Sequence, residues 1–174
     1  MKVILISGKA RFGKDLTANL IKEQLELKDK KVLVTHYADL LKYICKTFFE
    51  WNGVKDSVGR TILQFVGTDT IRGIKPDFWV DFIISILTMF DDSWDYILIP
   101  DTRFPNEIVK MKSSGLNCIA VRINRPNFVS SLTNEQLNHI SETALDDYRF
   151  DYIIENDSSL DGLKREVDKL IDIL

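Results

Sequence analysis

The chain has 174 residues, 45% hydrophobic and 28% charged, the proportions of one ordinary globular domain with a full core. Its 23 lysines and arginines are outnumbered by 26 acidic residues, and the net charge of −3 provides no basic field to hold a nucleic-acid backbone by counterion release. Apolar runs such as 82–87 fall far short of the roughly 20 residues that span a bilayer, and the apolar start is too short for a signal-peptide core, so a cytoplasmic protein with no membrane or polymeric nucleic-acid partner is expected.

Residues 3–6 are the first apolar run and predict a strand. Directly after it, Gly8-Lys9-Ala10-Arg11-Phe12-Gly13-Lys14 has the GxxxxGK pattern between a strand and a helix, the context that gives this motif its meaning. The glycines let backbone N–H groups turn inward on a polyphosphate, the next helix presents its positive N-terminus, and Lys14 places an ammonium against the β- and γ-phosphates. Asp15 stands where such loops usually carry Ser or Thr. A carboxylate there holds Mg2+ through water or orients Lys14, instead of ligating the metal by a hydroxyl. The bland alternative is a glycine-containing βα turn capped by Asp15.

Leu16, Leu20, Ile21 and Leu25 then put one apolar face on a helix, and residues 32–35 predict the second strand. Residues 38–90 interrupt the alternation with three helical pieces, 39–51, 57–66 and 76–90, the last with Pro76 in its first turn. Such an excursion commonly builds one wall of a substrate cleft. Trp79 within it belongs to the core by base rate.

The third strand, 96–99, runs into Pro100-Asp101, the form of an acid that bears on Mg2+ or the nucleophile in phosphoryl transfer. Its alternative role is to cap a helix beginning near Pro105. Ligands gather outside the carboxyl ends of strands in open α/β sheets, so Asp101 should share an edge with the glycine loop. Arg103 then becomes a natural phosphate clamp. Arg11, Lys42, Arg60, Arg72 and Arg125 add positive charge, although each reads equally well as solvated surface. A strand at 118–123, an Asn- and Ser-rich flap at 125–142 and a weaker strand at 152–154 follow. Leu160, Leu163, Val167, Leu170, Ile171 and Leu174 mark a closing helix. His36 and His139 are too isolated to argue for a metal or a nucleophile, and Cys45 and Cys118, without CxxC spacing, read as buried free thiols. Strands that alternate with helices and lack in/out patterning predict a parallel sheet covered on both faces. With no repeat or linker, residues 1–174 form a single domain.

Taken in order, the loop 8–15, Gly59-Arg60-Thr61-Ile62-Leu63-Gln64-Phe65-Val66-Gly67-Thr68-Asp69, Phe78-Trp79-Val80, Pro100-Asp101-Thr102-Arg103 and His139-Ile140-Ser141-Glu142 resemble the bacteriophage deoxynucleoside monophosphate kinases. The resemblance extends through Asn156-Asp157-Ser158-Ser159-Leu160 and leaves out mainly the region around 45–56, where this chain is shorter than the larger members. Asp15 is usual in that family. The resemblance implies an α/β fold of the P-loop NTPase type, three-layer α/β/α with a five-stranded parallel sheet, a helical substrate-binding region at about 38–90 and a lid at about 125–142.

It also implies ATP, Mg2+ and a deoxynucleoside monophosphate as the molecules bound, with the γ-phosphate of ATP passing to the acceptor. On the ATP side it places Gly8, Ala10, Gly13, Lys14, Asp15 and Leu16, with Arg125, and with Asn156 approaching the adenine. On the acceptor side it places Arg11, Lys42, Arg60, Gln64, Gly67, Thr68, Trp79 and Arg103, with Asp69 near them. The expected catalytic set is Lys14, Arg11, Arg103 and Asp101, and Asp15 and Asp101 are the expected metal carboxylates. A two-fold homodimer is the default assembly. Two rivals stand beside this reading: a related kinase acting on dephospho-coenzyme A or phosphomevalonate, and a P-loop nucleotide-binding module without transfer activity. An NKxD guanine motif is absent, which argues against a GTPase switch.

Overall fold

The computed structural model describes residues 1–126, 128–130, 132–157 and 159–174. Asn127, Ser131 and Ser158, which fall in the expected lid and in the 156–160 motif, lie outside the described residues. In chain order the elements are β1 (Lys2–Ser7), α1 (Lys14–Glu26), β2 (Val32–Val34), α2 (Ala38–Phe48) and α3 (Ser57–Gln64), which runs into a π-helical stretch (Phe65–Arg72). Then come α4 (Phe78–Met89), β3 (Tyr96–Ile99), α5 (Pro105–Ser113), β4 (Asn117–Asn124), α6 (Asn134–Asn138), α7 (Ile140–Thr143), β5 (Tyr152–Glu155) and α8 (Leu160–Ile171). The strands pair in parallel in the order β2-β3-β1-β4-β5.

β1 is the central strand, and its apolar residues from Val3 to Ile6 are wholly buried. Val3 and Leu5 pack into one core with residues of α2, α4 and α5, while Ile4 and Ile6 pack into another with residues of α1 and α8. Burial on both faces explains why the strand reads as an unbroken apolar run. A fully buried aliphatic side chain contributes ~1.5–3 kcal/mol, so these four residues anchor the sheet beneath the glycine loop.

Several element boundaries differ from the expectation. α2 stops at Phe48 instead of reaching Trp51, because Glu50 adopts φ +53° and Trp51 turns back, its N–H donating to the Cys45 carbonyl at 3.1 Å. Pro76 precedes α4 instead of lying in its first turn, and its carbonyl accepts from Arg72 and Asn106. The helix expected at 57–66 continues past 66 with π geometry. Leu16 and Leu160, expected on apolar faces, are 45% and 51% exposed, since both stand in first helical turns at the margin of the core. Cys45 is buried, while Cys118 is only partly so, and burial pushes its thiol up to about 11. Among the described residues no helix is long and apolar enough to cross a membrane.

Candidate active site

The loop between β1 and α1 bends at two glycines. Gly8 has φ +151°, and a Cβ there would lie 2.7 Å from the carbonyl oxygen of Ile123. Gly13 has φ +95°, and a Cβ would lie 2.8 Å from Asn156 Nδ2. The backbone therefore passes too close to β4 and to the residue after β5 for any side chain at these positions. Asn156 is buried, and its amide donates to the Phe12 carbonyl at 3.0 Å. Through that contact the side chain braces the loop.

Lys14 crosses the loop and donates from Nζ to the carbonyls of Gly8 at 2.7 Å and Lys9 at 2.9 Å. Burial, and then the neighbouring Arg103, lowers its pKa to about 8. The site thus holds a cation whose charged form is costly until an anion arrives.

A second group approaches the same loop from α7. Glu142 Oε2 accepts from the Ala10 N–H at 2.8 Å, and Oε1 pairs with Arg103 Nη1, which also donates to the Ser141 carbonyl at 3.0 Å. Burial alone would raise the pKa of this carboxyl, but Arg103 and the Ala10 N–H hold it below the usual range.

Asp101, at the end of β3, accepts from the Tyr37 N–H at 2.9 Å and the Ala38 N–H at 3.0 Å. It therefore caps α2, not the helix near Pro105. That helix is held by Glu107, which is 2% exposed and whose Oε2 accepts from the N–H groups of Arg103 at 2.7 Å and Phe104 at 3.0 Å. Glu107 Oε1 pairs with Arg72 Nη2 at 2.6 Å, and the Arg72 guanidinium lies 3.9 Å from the centre of the Phe104 ring.

The loop, the end of β3 and the helical region enclose a cavity of about 620 Å³. Seven lysines and arginines line it against four carboxylates, so a chain of net charge −3 concentrates positive charge here. Of the residues expected to bind the acceptor, Arg11, Lys42, Arg60, Gln64, Gly67, Thr68, Trp79 and Arg103 all line this cavity. Ala10, Lys14, Asp15 and Asp101 line it too.

Trp79 is both core residue and wall. It is 3% exposed, and its indole N–H donates to the Gly67 carbonyl at 3.1 Å. Gly67 lets the π-helical stretch press onto α2, since a Cβ there would stand 2.5 Å from Leu41 Cδ2.

Other expected residues lie outside the lining. Gly8 and Gly13 shape the loop, Leu16 is half-exposed on α1, and Asp69 sits 4.0 Å from His139 Nε2. Arg125 donates to the Arg11 carbonyl at 3.0 Å and lies over the Phe128 ring at 4.5 Å, so it steadies the loop from its outer side.

Sequence reasoning missed His36, Lys55, Phe104 and Glu107, all in the cavity wall, and left Arg72, which also lines it, among cations that read equally well as solvated surface. His36, set aside as isolated, has Nε2 3.4 Å from Asp15 and Nδ1 3.4 Å from Asp39. The hydrogen bond to Asp15 holds the histidine pKa above its ordinary value and Asp15 below its own.

Among the described residues no three His, Cys, Asp or Glu side chains gather into a metal site. Mg2+ that arrives with a nucleotide requires less, one or two carboxylates with phosphate oxygens and water completing the shell. Asp15 and Asp101, both on the cavity with Lys14, fit that requirement.

A family model described as deoxynucleotide monophosphate kinase matches residues 23–167. A protein named deoxynucleotide monophosphate kinase from Enterobacteria phage T4 is 31% identical over 126 residues, 71% of this chain and 49% of that protein. One of the same name from Escherichia phage RB69 is 28% identical over 123 residues, 69% of this chain and 48% of that protein. The chain thus spans about half the length of the curated relatives it matches. Among solved structures, the APS kinase of Mycobacterium tuberculosis in complex with AMPPNP and APS aligns with a TM-score of 0.58 at 12% identity, covering 99% of this chain and 96% of that one. Dephospho-CoA kinase from Campylobacter jejuni aligns with 0.56 at 13% identity, covering 99% and 97%. At such identities the likeness is one of fold, the three-layer architecture of P-loop kinases.

Proposed function

The chain belongs to the deoxynucleotide monophosphate kinase family, and from that premise we propose that it transfers the γ-phosphoryl group of ATP to a deoxynucleoside monophosphate, giving ADP and the diphosphate. The observation that carries this reading is that two anion-binding devices, the glycine loop with Lys14 and the Arg103 guanidinium, open into one cavity.

Phosphoryl transfer requires two anions held in line and little covalent chemistry from the protein. The loop N–H groups and Lys14 hold the ATP phosphates. Arg103, with Arg11, Arg60, Lys42 and Lys55 around the same cavity, takes the acceptor phosphate and offsets the charge that builds on the moving group. Trp79, Gly67, Thr68 and Gln64 form the wall for the acceptor's sugar and base. The acceptor phosphate is itself the nucleophile and needs no strong base. Asp15 and Asp101 would hold Mg2+, which when bound neutralises phosphate charge. Residues 125–142 act as a lid, with Leu132, Gln136, Ser141 and Glu142 on the cavity side, and their closure keeps water from competing as acceptor.

The test is coupled ADP release with Mg-ATP against dAMP, dCMP, dGMP, dTMP, 5-hydroxymethyl-dCMP, GMP, dephospho-coenzyme A and phosphomevalonate. Turnover on one or more deoxynucleotides is expected. Activity confined to either of the last two acceptors would keep the P-loop kinase and overturn the substrate class, and silence on all acceptors with retained ATP binding would leave a nucleotide-binding module.

A further inference from the structure

We propose that Glu142 is a positioning residue that fixes the Arg103 guanidinium in register with the phosphate-binding loop. The proposal rests on the reading of the cavity as a phosphoryl-transfer site.

The Glu142 side chain is 6% exposed, and its two oxygens serve different partners. Oε2 takes the Ala10 N–H of the loop at 2.8 Å, and Oε1 takes Arg103 Nη1. One carboxylate thereby ties a side chain at the end of β3 to a backbone group at the end of β1. The Ser141 carbonyl, 3.0 Å away, holds the same Nη1. Arg103 is also held at its root, where its N–H donates to Glu107 at 2.7 Å.

Because both side-chain contacts fall on Nη1, Arg103 Nε and Nη2 have no partner among the described residues. Those two groups form one planar edge of a guanidinium, the edge that takes two oxygens of a phosphate. Glu142 therefore holds Arg103 by one nitrogen and leaves its chelating edge for the ligand. A charged partner, not a neutral one, suits this place, since the loop amide and the guanidinium together ask for a full negative charge.

The experiment is a double-mutant cycle on phosphoryl transfer with Glu142→Ala, Arg103→Ala and the pair, with Glu142→Gln as the conservative variant. Far-UV circular dichroism and the thermal midpoint check that each variant folds, and Glu142→Gln carries the cycle if Glu142→Ala does not. Misplacement of a phosphate clamp is expected to lower kcat by about 10- to 100-fold while KM for ATP stays within about twofold. Glu142→Gln recovers part of the loss. The double variant is expected to be no slower than Arg103→Ala alone, because Glu142 acts through Arg103. Losses that multiply would overturn the proposal. So would tighter nucleotide binding with unchanged kcat in Glu142→Ala, which would make the carboxylate a mere occupant of a phosphate position.

If the wild-type protein transfers phosphate to no deoxynucleotide, the kinase reading fails by itself, and ¹⁵N relaxation of Arg103 Nε in the nucleotide-free protein decides the positioning role. An ordered Nε–H in wild type that becomes mobile in Glu142→Ala supports it, and equal order in both overturns it.

Discussion

Nucleotide binding should draw a proton onto Lys14. Burial, and then repulsion from Arg103, lowers its pKa from 10.5 to about 8, which disfavours the ammonium by ~3 kcal/mol relative to water. A triphosphate on the loop places full negative charge beside Nζ and reverses that preference, so the bound state keeps Lys14 protonated. The free protein carries about half a proton there near pH 8, so a non-hydrolysable ATP analogue should take up roughly half a proton on binding at that pH, almost none near pH 6.5 and close to one near pH 9.5. Calorimetry in buffers of different ionisation enthalpy reads this number directly. Affinity should fall about tenfold per pH unit above the free-state pKa. Lys14→Arg, which keeps a cation that does not titrate, should abolish the uptake. Folding stability gives the same group a second readout. Between about pH 8 and 10.5 the unfolded chain binds more protons than the folded one, so the unfolding free energy contributed by Lys14 rises with pH through that window. Proton uptake that stays near zero from pH 7 to 9 would refute the lowered pKa of the buried Lys14.

Arg103→Ala should raise the acceptor KM and lower kcat, and an unchanged KM would place Arg103 outside the acceptor site. Trp79→Phe deletes the hydrogen bond to the buried Gly67 carbonyl, and a loss of ~1–3 kcal/mol is expected in urea unfolding. Gly8→Ala puts a Cβ 2.7 Å from the Ile123 carbonyl oxygen, so ATP binding measured by calorimetry should be lost or nearly so in a protein whose thermal midpoint shows that it still folds. Asn156→Ala frees the Phe12 carbonyl, and KM for ATP should rise more than KM for the acceptor.

The parts of this molecule that were legible in the sequence are those written in contiguous residues. The run from Val3 to Ile6 is buried on both faces, the glycine pattern follows at once, and Asp101 and Arg103 close a strand that lies beside β1. Parallel pairing puts the ends of these strands on one edge, which is why two motifs about 90 positions apart could be assigned to one site. The remainder depends on pairs with no periodic signal. Glu142 meets Ala10 across 132 positions, and Arg72 meets Glu107 across 35. His36 looked isolated because its partner Asp15 lies 21 positions away, in the first turn of α1, while His36 follows β2. The π-helical stretch was hidden for a different reason, since Phe65 to Arg72 carries no proline and its only glycine is Gly67, which reads as an ordinary helix interior. The close approach of Gly67 to Leu41 and the indole bond from Trp79 accompany that geometry.

Charge explains why an acidic chain offers an anion site at this place. The carboxylates around the cavity are largely committed to the protein's own donors: Asp101 to the N-terminus of α2, Glu107 to Arg72 and two backbone N–H groups, and Glu142 to Ala10 and Arg103. Glu107 and Glu142 thus have their charge paired with arginines, while Asp101 meets only neutral backbone N–H groups and keeps its charge for a cation. The side chains of Lys55 and Arg60, by contrast, have no hydrogen bond or ion pair among the described residues, and burial, with Lys42 next to it, lowers the pKa of Lys55. Lys55, disfavoured as a cation by partial desolvation and by Lys42, is relieved by an incoming anion, so a charge that is costly beside the empty cavity favours the phosphate. Net charge over the whole chain says nothing of this, because the decisive quantity is which charges the fold has already neutralised.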